Sequence, residues 1–547
     1  MKKIKFYIGA FFLLCCIVKG YAQTETDDNR FSGNKNNPER QAWLRDRGFG
    51  MFIHLNIDAQ LGITISHSLV GASEAYCKKY YETLPQTFDP YKFNAYEIAK
   101  LAKLAGMKYI VFTAKHHSGF CFWDTRTTDL NIMHTPHKKD LLKEYVEGVR
   151  KAGLAVGLYY SPEDFKFLYD HKIPIKRGDI KLKDNERKAY DDLVKQQTTE
   201  LFTNYGQIDV LFIDGEPKDP CKKVAWSLQP NVVITRGAIN TPEQTLPGAA
   251  QDQFWESCIT MGTQWNYKPT NDHIKTGGRL IELLIEARAK GGNFLLNVGP
   301  HPDGYIPYEQ EVNLREMAAW NFINEEAIQG VRPWIIVHEH NIWFTASKDK
   351  RTVYAIITRQ PDWPLGQRKE IILKSVKSTP STKISVLGQN SEVVEYQNAK
   401  DASSRFEQKN DGLHISVVRA QRVYDNNKWP NPVTIKLENI EPALDPPVII
   451  TGNAITQNGE AVLKGSLVKK GDAAIVHVGF EYRPYAGFAE NLNSTTWNTT
   501  KYAERNSKGD YTISLKGLKK NTPYEYRAIV VHPQITIQAD IKTFTVK

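Results

Sequence analysis

Two short segments carry the residue types that could do chemistry together, Val210-Leu-Phe-Ile-Asp-Gly-Glu216 and Phe254-Trp-Glu-Ser257. Each is an apolar run that ends on a carboxylate among aromatic residues. A carboxylate placed where a buried strand emerges is held rigidly and shielded from water. Two of them facing one cavity would serve cleavage of a glycosidic bond, one attacking or stabilising and one donating a proton. Asp214 is followed by Gly215, which lets the backbone turn sharply beside a ligand; a helix cap or turn aspartate is the plain alternative. Glu256 follows Phe254-Trp255, and aromatic walls raise a carboxylic acid's pKa by desolvation. Glu163, Asp164 and Glu216 are competing carboxylates.

Polar residues of a second kind gather nearby. His116 and His117 end the run Tyr109-Ile-Val-Phe-Thr-Ala-Lys, and imidazoles suit hydrogen bonding to sugar hydroxyls. A zinc site would need His54 as a further ligand and is the weaker reading. Phe120, Phe122, Trp123, Tyr159, Tyr160, Trp255, Trp265 and Tyr267 could supply flat walls, although most aromatics in any chain are core. There is no phosphate loop, dinucleotide fingerprint or G-x-S-x-G elbow, which sets aside kinases, nucleotidases and ordinary esterases.

The elements that must position these groups follow from periodicity. Strands are expected at Phe49–His54, Tyr109–Ala114, Ala155–Tyr160, Val210–Asp214, Val232–Thr235, Gln253–Glu256 and Phe294–Val298. Helix-like stretches such as Ala95–Ala105, Leu141–Ala152 and Leu280–Ala289 alternate with them. Seven or eight β-then-α units over residues 35–334 predict an α/β fold, a (β/α)8 TIM-like barrel. His54, His116, His117, Tyr159, Asp214, Arg236, Glu256 and Asn297 then fall at C-terminal strand ends, the face where barrels build active sites. Residues 335–440 alternate as a β-sandwich, with strands at Thr352–Thr358, Glu370–Leu373 and Leu413–Val418. Residues 441–547 form a second β module. Its Leu518-x-x-x-Thr522-x-Tyr524 stretch is similar to the tyrosine corner of fibronectin type III and immunoglobulin-like sandwiches.

At 547 residues two to three domains are expected. Residues 1–22 read as a signal peptide, with Lys2, Lys3 and Lys5, an apolar Phe6–Val18 core and Gly20-Tyr-Ala22. The apolar core is too short for a membrane span. Cys15 and Cys16 give lipoprotein anchoring little support. Its loss would lower the formal charge from +10 by four lysines to +6. The basic residues left are scattered, so nucleic acid is not an expected partner. Export to the periplasm or the medium is expected. Cys77, Cys121, Cys221 and Cys258 form no Cys-x-x-Cys pair, so one disulfide or buried thiols are equally open. No cofactor is called for, and oligomeric state is not legible.

Five segments together give a resemblance: Phe49-Gly-Met-Phe-Ile-His54, Thr113-Ala-Lys-His-His-Ser-Gly-Phe-Cys-Phe-Trp-Asp124, Gly157-Leu-Tyr-Tyr-Ser161, Asp209-Val-Leu-Phe-Ile-Asp-Gly215 and Gly291-Gly-Asn-Phe-Leu-Leu-Asn-Val-Gly-Pro300. In this order they resemble the α-L-fucosidases of glycoside hydrolase family 29. The resemblance implies a barrel, a C-terminal β-sandwich, a retaining mechanism and a fucosylated oligosaccharide or glycoconjugate as substrate. It carries the nucleophile onto Asp214 and the acid/base onto Glu256. It places His54, Glu74, His116, His117 and Tyr159 against fucose, and Trp123 near the methyl-bearing edge. It implies an arginine contact near the acid/base, for which Arg236 is the candidate. Leu55 and Phe212 depart from the family, which has Trp at both, and put the exact sugar in question. A glycosidase of a related sugar such as α-L-galactose, a non-catalytic carbohydrate-binding protein and a metal-dependent hydrolase on His54, His116 and His117 are the alternatives.

Overall fold

Seven parallel strands form the sheet that carries the site: β1 (Phe49–Ile53), β2 (Tyr109–Lys115), β3 (Ala155–Tyr160), β4 (Val210–Ile213), β5 (Val233–Ile234), β6 (Glu256–Thr260) and β7 (Asn293–Val298). They lie in the order β5-β4-β3-β2-β1-β7-β6 in a computed structural model. The structure describes residues 33–547 apart from 179, 359–362, 424–428, 458, 486, 488–495 and 547. The leader expected over residues 1–22 lies outside the described residues.

Every residue of these strands is buried. That is the pattern of a parallel sheet covered on both faces, and it is why the strands read as apolar runs rather than alternations. Helices supply the outer cover through one apolar stripe each. Ala95–Leu104 buries Ala95, Ile98, Ala99 and Ala102, and begins where the Asn94 side chain accepts from the Glu97 amide. Leu141–Lys151 is capped in the same way by Asp140.

The eighth stave is irregular. Beside β6 runs Asn240–Gln244, whose backbone mimics a parallel partner: the Glu256 amide donates to the Asn240 carbonyl at 3.1 Å, Cys258 to Pro242 at 3.1 Å, and Gln244 back to Cys258 at 2.9 Å. Pro242 in this run cannot donate to a ladder, which keeps the segment from becoming a full strand. The fold is therefore TIM-like, with seven regular strands and a loop in the remaining position.

Beyond the barrel, a five-stranded and a three-stranded antiparallel sheet between Arg332 and Pro442 pack on a core including Trp334, Phe344, Val353, Leu413 and Leu437. A further pair of antiparallel sheets between Val448 and Thr545 encloses Leu463, Phe480, Tyr511 and Tyr526. In it the Lys519 amide donates to the Tyr524 hydroxyl at 3.1 Å, the contact expected of a tyrosine corner. This last module leans on the barrel: the Ala249 amide donates to Asp540 Oδ1 at 3.0 Å. A Cβ on Gly248 would stand 2.5 Å from the Ala539 carbonyl oxygen, so only glycine permits that approach. Cys77, Cys121, Cys221 and Cys258 are buried free thiols. Among the described residues no helix is long and apolar enough to cross a membrane.

Candidate active site

The C-terminal ends of the strands open into one cleft of about 1440 Å³. Asp214 stands at its floor, one residue past β4. The Tyr159 hydroxyl donates to its Oδ2 at 2.9 Å, and Arg236 Nη1 donates to its Oδ1 at 3.2 Å. His117 Nε2 lies 3.4 Å from the same Oδ2. Burial alone would raise the Asp214 carboxyl; the Arg236 guanidinium, then His117 and Arg177, outweigh it and hold the group well below the usual carboxylate range. The result is a fixed anion at the bottom of a cavity. Gly215 has φ of 90°, and a Cβ there would lie 2.6 Å from the Glu163 Cβ, so the turn that presents Asp214 requires glycine.

The histidines are oriented by their neighbours. Asn297 donates its amide to the Trp265 carbonyl at 2.8 Å, which turns its oxygen toward His54 Nδ1 at 2.6 Å. His54 therefore donates from Nδ1 and keeps Nε2 as an acceptor. Burial lowers its pKa to about 3, so the ring is neutral. Ser66 accepts from the Ser118 amide at 2.9 Å and from Asn56 at 3.4 Å, leaving its own hydrogen for His116 Nδ1 at 2.8 Å. His116, also held neutral by burial and by the neighbouring imidazoles, then has an Nε2–H to donate. Adjacent rings thus offer one acceptor and one donor, a pattern suited to vicinal hydroxyls. The Ser161 hydroxyl donates to the Glu163 carbonyl and so accepts from His117 Nδ1 at 2.6 Å. Glu163 lies 3.2 Å from that nitrogen and is bound by Arg177 Nε at 3.1 Å.

One wall is apolar. Phe52 packs on Phe212 with centroids 4.9 Å apart and on Trp265 at 6.0 Å, while Tyr159 stacks on Phe212 at 5.7 Å. Arg236 spans the Phe212 ring at 4.7 Å and its Nη1 also reaches Glu243 Oε2 at 3.0 Å. Asp214 and Glu243 therefore face each other across one guanidinium. In a retaining glycosidase the two carboxyls stand about 5–5.5 Å apart, a spacing one shared nitrogen allows. The Glu243 side chain is 44% exposed, open to the cleft and to water.

Of the sequence candidates, the structure brings Asp214, His54, His116, His117, Tyr159 and Arg236 together around this cleft. Four others it places elsewhere. Glu256 opens β6 instead of ending it, because the strand continues through Ser257-Cys-Ile-Thr260; the carboxylate sits at the opposite end of the barrel, fully buried, and accepts from the Tyr109 hydroxyl. Trp255 is buried beside it and donates to the Lys290 carbonyl at 3.3 Å. Trp123 is wholly in the core and donates to Glu200 at 2.8 Å. Glu74 begins the helix Glu74–Thr87 on the surface, 3.4 Å from Lys172. Leu55 is core as well, so of the two family departures only Phe212 touches the cleft. His67, Arg177 and Glu243 also line the cleft. His67 opens the short 3-10 turn His67–Leu69 and the other two lie on irregular segments, so no periodicity in the sequence marks them.

Glu256 does carry the raised pKa expected of it, about 7, through burial, with Tyr109 pulling the other way. Between the unfolded value of about 4.3 and about 7 the folded state keeps a proton that the unfolded chain has lost. Stability therefore falls as pH rises through that window and levels off above it. Glu256→Gln is expected to stabilise the protein at pH 8, by about 3 kcal/mol, and to change little at pH 4. Thermal unfolding at the two pH values reads this out, and an equal shift at both would contradict it.

His116, His117 and Asp214 offer three ligand atoms within 4.8 Å of one another. The groups are already committed to other partners: Asp214 accepts from Tyr159 and Arg236, His116 Nδ1 faces Ser66 and His117 Nδ1 faces Ser161.

A sequence profile described as alpha-L-fucosidase matches residues 18–326. The chain is 27% identical over 400 residues to an alpha-L-fucosidase of Dictyostelium discoideum, covering 63% of this chain and 85% of that protein. It is 30% identical over 329 residues to the tissue alpha-L-fucosidase of Mus musculus, covering 54% and 69%. Among solved structures it is similar to alpha-L-fucosidase isoenzyme 1 from Paenibacillus thiaminolyticus, with a TM-score of 0.60 and 28% identity over 74% of this chain and 99% of that one. A Bacteroides thetaiotaomicron alpha-L-fucosidase, solved as a trapped covalent intermediate, shares the fold at 22% identity and a TM-score of 0.58.

Proposed function

The chain belongs to the α-L-fucosidase family, and from that premise we propose that it is an exported, retaining exo-α-L-fucosidase using Asp214 as nucleophile and Glu243 as acid/base. It is a glycoside hydrolase acting on fucosylated glycans. The observation that carries the finer reading is the carboxylate pair sharing Arg236 Nη1, at 3.2 Å for Asp214 and 3.0 Å for Glu243.

In the first step an Asp214 oxygen bonds to fucose C1 while the bond from C1 to the glycosidic oxygen breaks. Glu243 passes its proton to that departing oxygen, giving a free aglycone hydroxyl and a β-linked glycosyl ester. In the second step Glu243 takes a proton from water, whose oxygen bonds to C1 as the ester bond to Asp214 breaks. Two inversions leave the α-configuration. Fixed donors on Asp214 cost no reorganisation during either step. His54 and His116 accept from and donate to ring hydroxyls. The Phe52, Phe212 and Trp265 wall suits a methyl group at C5 better than the hydroxymethyl of galactose. Residues 1–22 support export, to the periplasm or the medium.

Proton NMR of the purified chain with α1,2-, α1,3- and α1,4-fucosylated oligosaccharides tests this reading. Free fucose is expected. Binding without release, or faster hydrolysis of the matching α-L-galactosides, would overturn it.

A further inference from the structure

The cleft is larger than one sugar needs. At about 1440 Å³ it exceeds the ~300–1,000 Å³ of an ordinary small-molecule pocket, and it does not stop at the barrel. From Asp214 it passes the Thr241–Gly248 loop, which carries Glu243, and reaches the C-terminal β module at Arg483, Tyr485, Trp497 and Arg527. The family match ends at residue 326, so this far wall belongs to a part of the chain that the family pattern does not describe.

That wall has a built centre. Strands Val476–Pro484 and Pro523–Val531 pair antiparallel, with Glu481 opposite Arg527 and Arg483 opposite Glu525. Arg483 pairs with Glu525, and Arg527 Nε donates to Glu481 Oε2 at 2.6 Å. The half-buried Trp497 lies over both guanidiniums, with centroid distances of 4.2 Å and 4.5 Å. Both arginines rise from the same sheet face and hold the indole in place by cation–π attraction, and the indole itself lines the cleft. Each arginine is balanced by its own glutamate, so the platform presents a flat apolar surface with little net charge. Sugar rings offer C–H faces that stack on such a surface.

We propose that Trp497 forms a distal subsite for a neutral pyranose in the leaving-group portion of the glycan, so that the C-terminal β module selects extended substrates. This rests on the fucosidase reading, in which the aglycone leaves past Glu243 toward the module. Binding energy gained far from the bond that breaks is available only to substrates long enough to reach it.

The test compares kcat/KM for 4-nitrophenyl α-L-fucoside, a fucosylated disaccharide and a neutral fucosylated pentasaccharide. Trp497→Ala is expected to lower the value for the pentasaccharide about tenfold, mainly through KM, with the aryl fucoside unchanged within about twofold. Trp497→Phe keeps a ring and should recover most of the loss. An equal loss on all three substrates, or none on any, would overturn the proposal. Calorimetric titration of the core tetrasaccharide without fucose is independent of turnover. Binding by the wild type that Trp497→Ala abolishes supports the subsite, and no binding by the wild type defeats it. If the aryl fucoside itself is not hydrolysed, the fucosidase reading fails, and this titration still decides the subsite.

Discussion

Asp214→Gly is expected to lower kcat/KM for 4-nitrophenyl α-L-fucoside by about 10⁴-fold or more, and added azide should restore turnover with β-L-fucosyl azide as the product. The size follows from how the carboxylate is held. One oxygen is fixed by Tyr159 and the other by Arg236, with His117 beside them. Glu163 is turned away into contacts with Arg177 and His117, so it cannot replace the nucleophile. Removing the side chain leaves a gap beneath C1 that a small anion can fill, drawn by Arg236 and Arg177. Azide entering there attacks from the side Asp214 would have used and gives the inverted sugar. A purely structural aspartate would give a lost fold and no azide product, and circular dichroism would separate the two.

Glu243→Gln is expected to act through the leaving group. With a glycan, whose departing alkoxide needs a proton, kcat/KM should fall about 10²–10⁴-fold. With α-L-fucosyl fluoride, which needs little protonation, the first step should be nearly unchanged. Azide should then speed release of the enzyme-bound sugar and give the α-azide, because it takes the place of the water that Glu243 activates. Glu256→Gln is the internal comparison. Its carboxyl lies at the far end of the barrel against Tyr109, so any loss should be the same for both substrates. A leaving-group dependence at Glu256 instead of Glu243 would reverse the assignment.

The barrel was legible because parallel strands buried on both faces read as unbroken apolar runs, and because capped helices with one apolar stripe separate them. Residues at the C-terminal ends of those runs fell where chain direction puts them, which is why His54, His116, His117, Tyr159, Asp214 and Arg236 converge. The strand expected over Gln253–Glu256 instead begins at Glu256 and runs to Thr260, which puts this carboxylate at the other end of the barrel. Ser257 and Thr260 interrupt the apolar pattern, yet both are buried in β6, and Cys258 and Ile259 between them mark the strand's real course. Glu243 carried no local signal. Its place beside Asp214 is set by backbone bonds from Asn240–Gln244 to β6 and by Arg236, contacts between segments that share no pattern. Trp123 and Trp255 lie in the packed core, and in sequence an aromatic residue near a strand end looks the same whether it faces a cleft or the core. Glu74 lies on a loop-and-helix insertion whose direction only the packing decides.

The central claim is that Asp214 and Glu243 work as a retaining pair on α-L-fucosides. The most direct measurement is the anomer that appears first in the proton NMR spectrum as fucose is released, recorded before mutarotation mixes the two forms. The account predicts α-L-fucose first, with β-L-fucose growing in later by mutarotation. β-L-Fucose appearing first would mean single displacement by water, and Asp214 would then be a base and not the nucleophile.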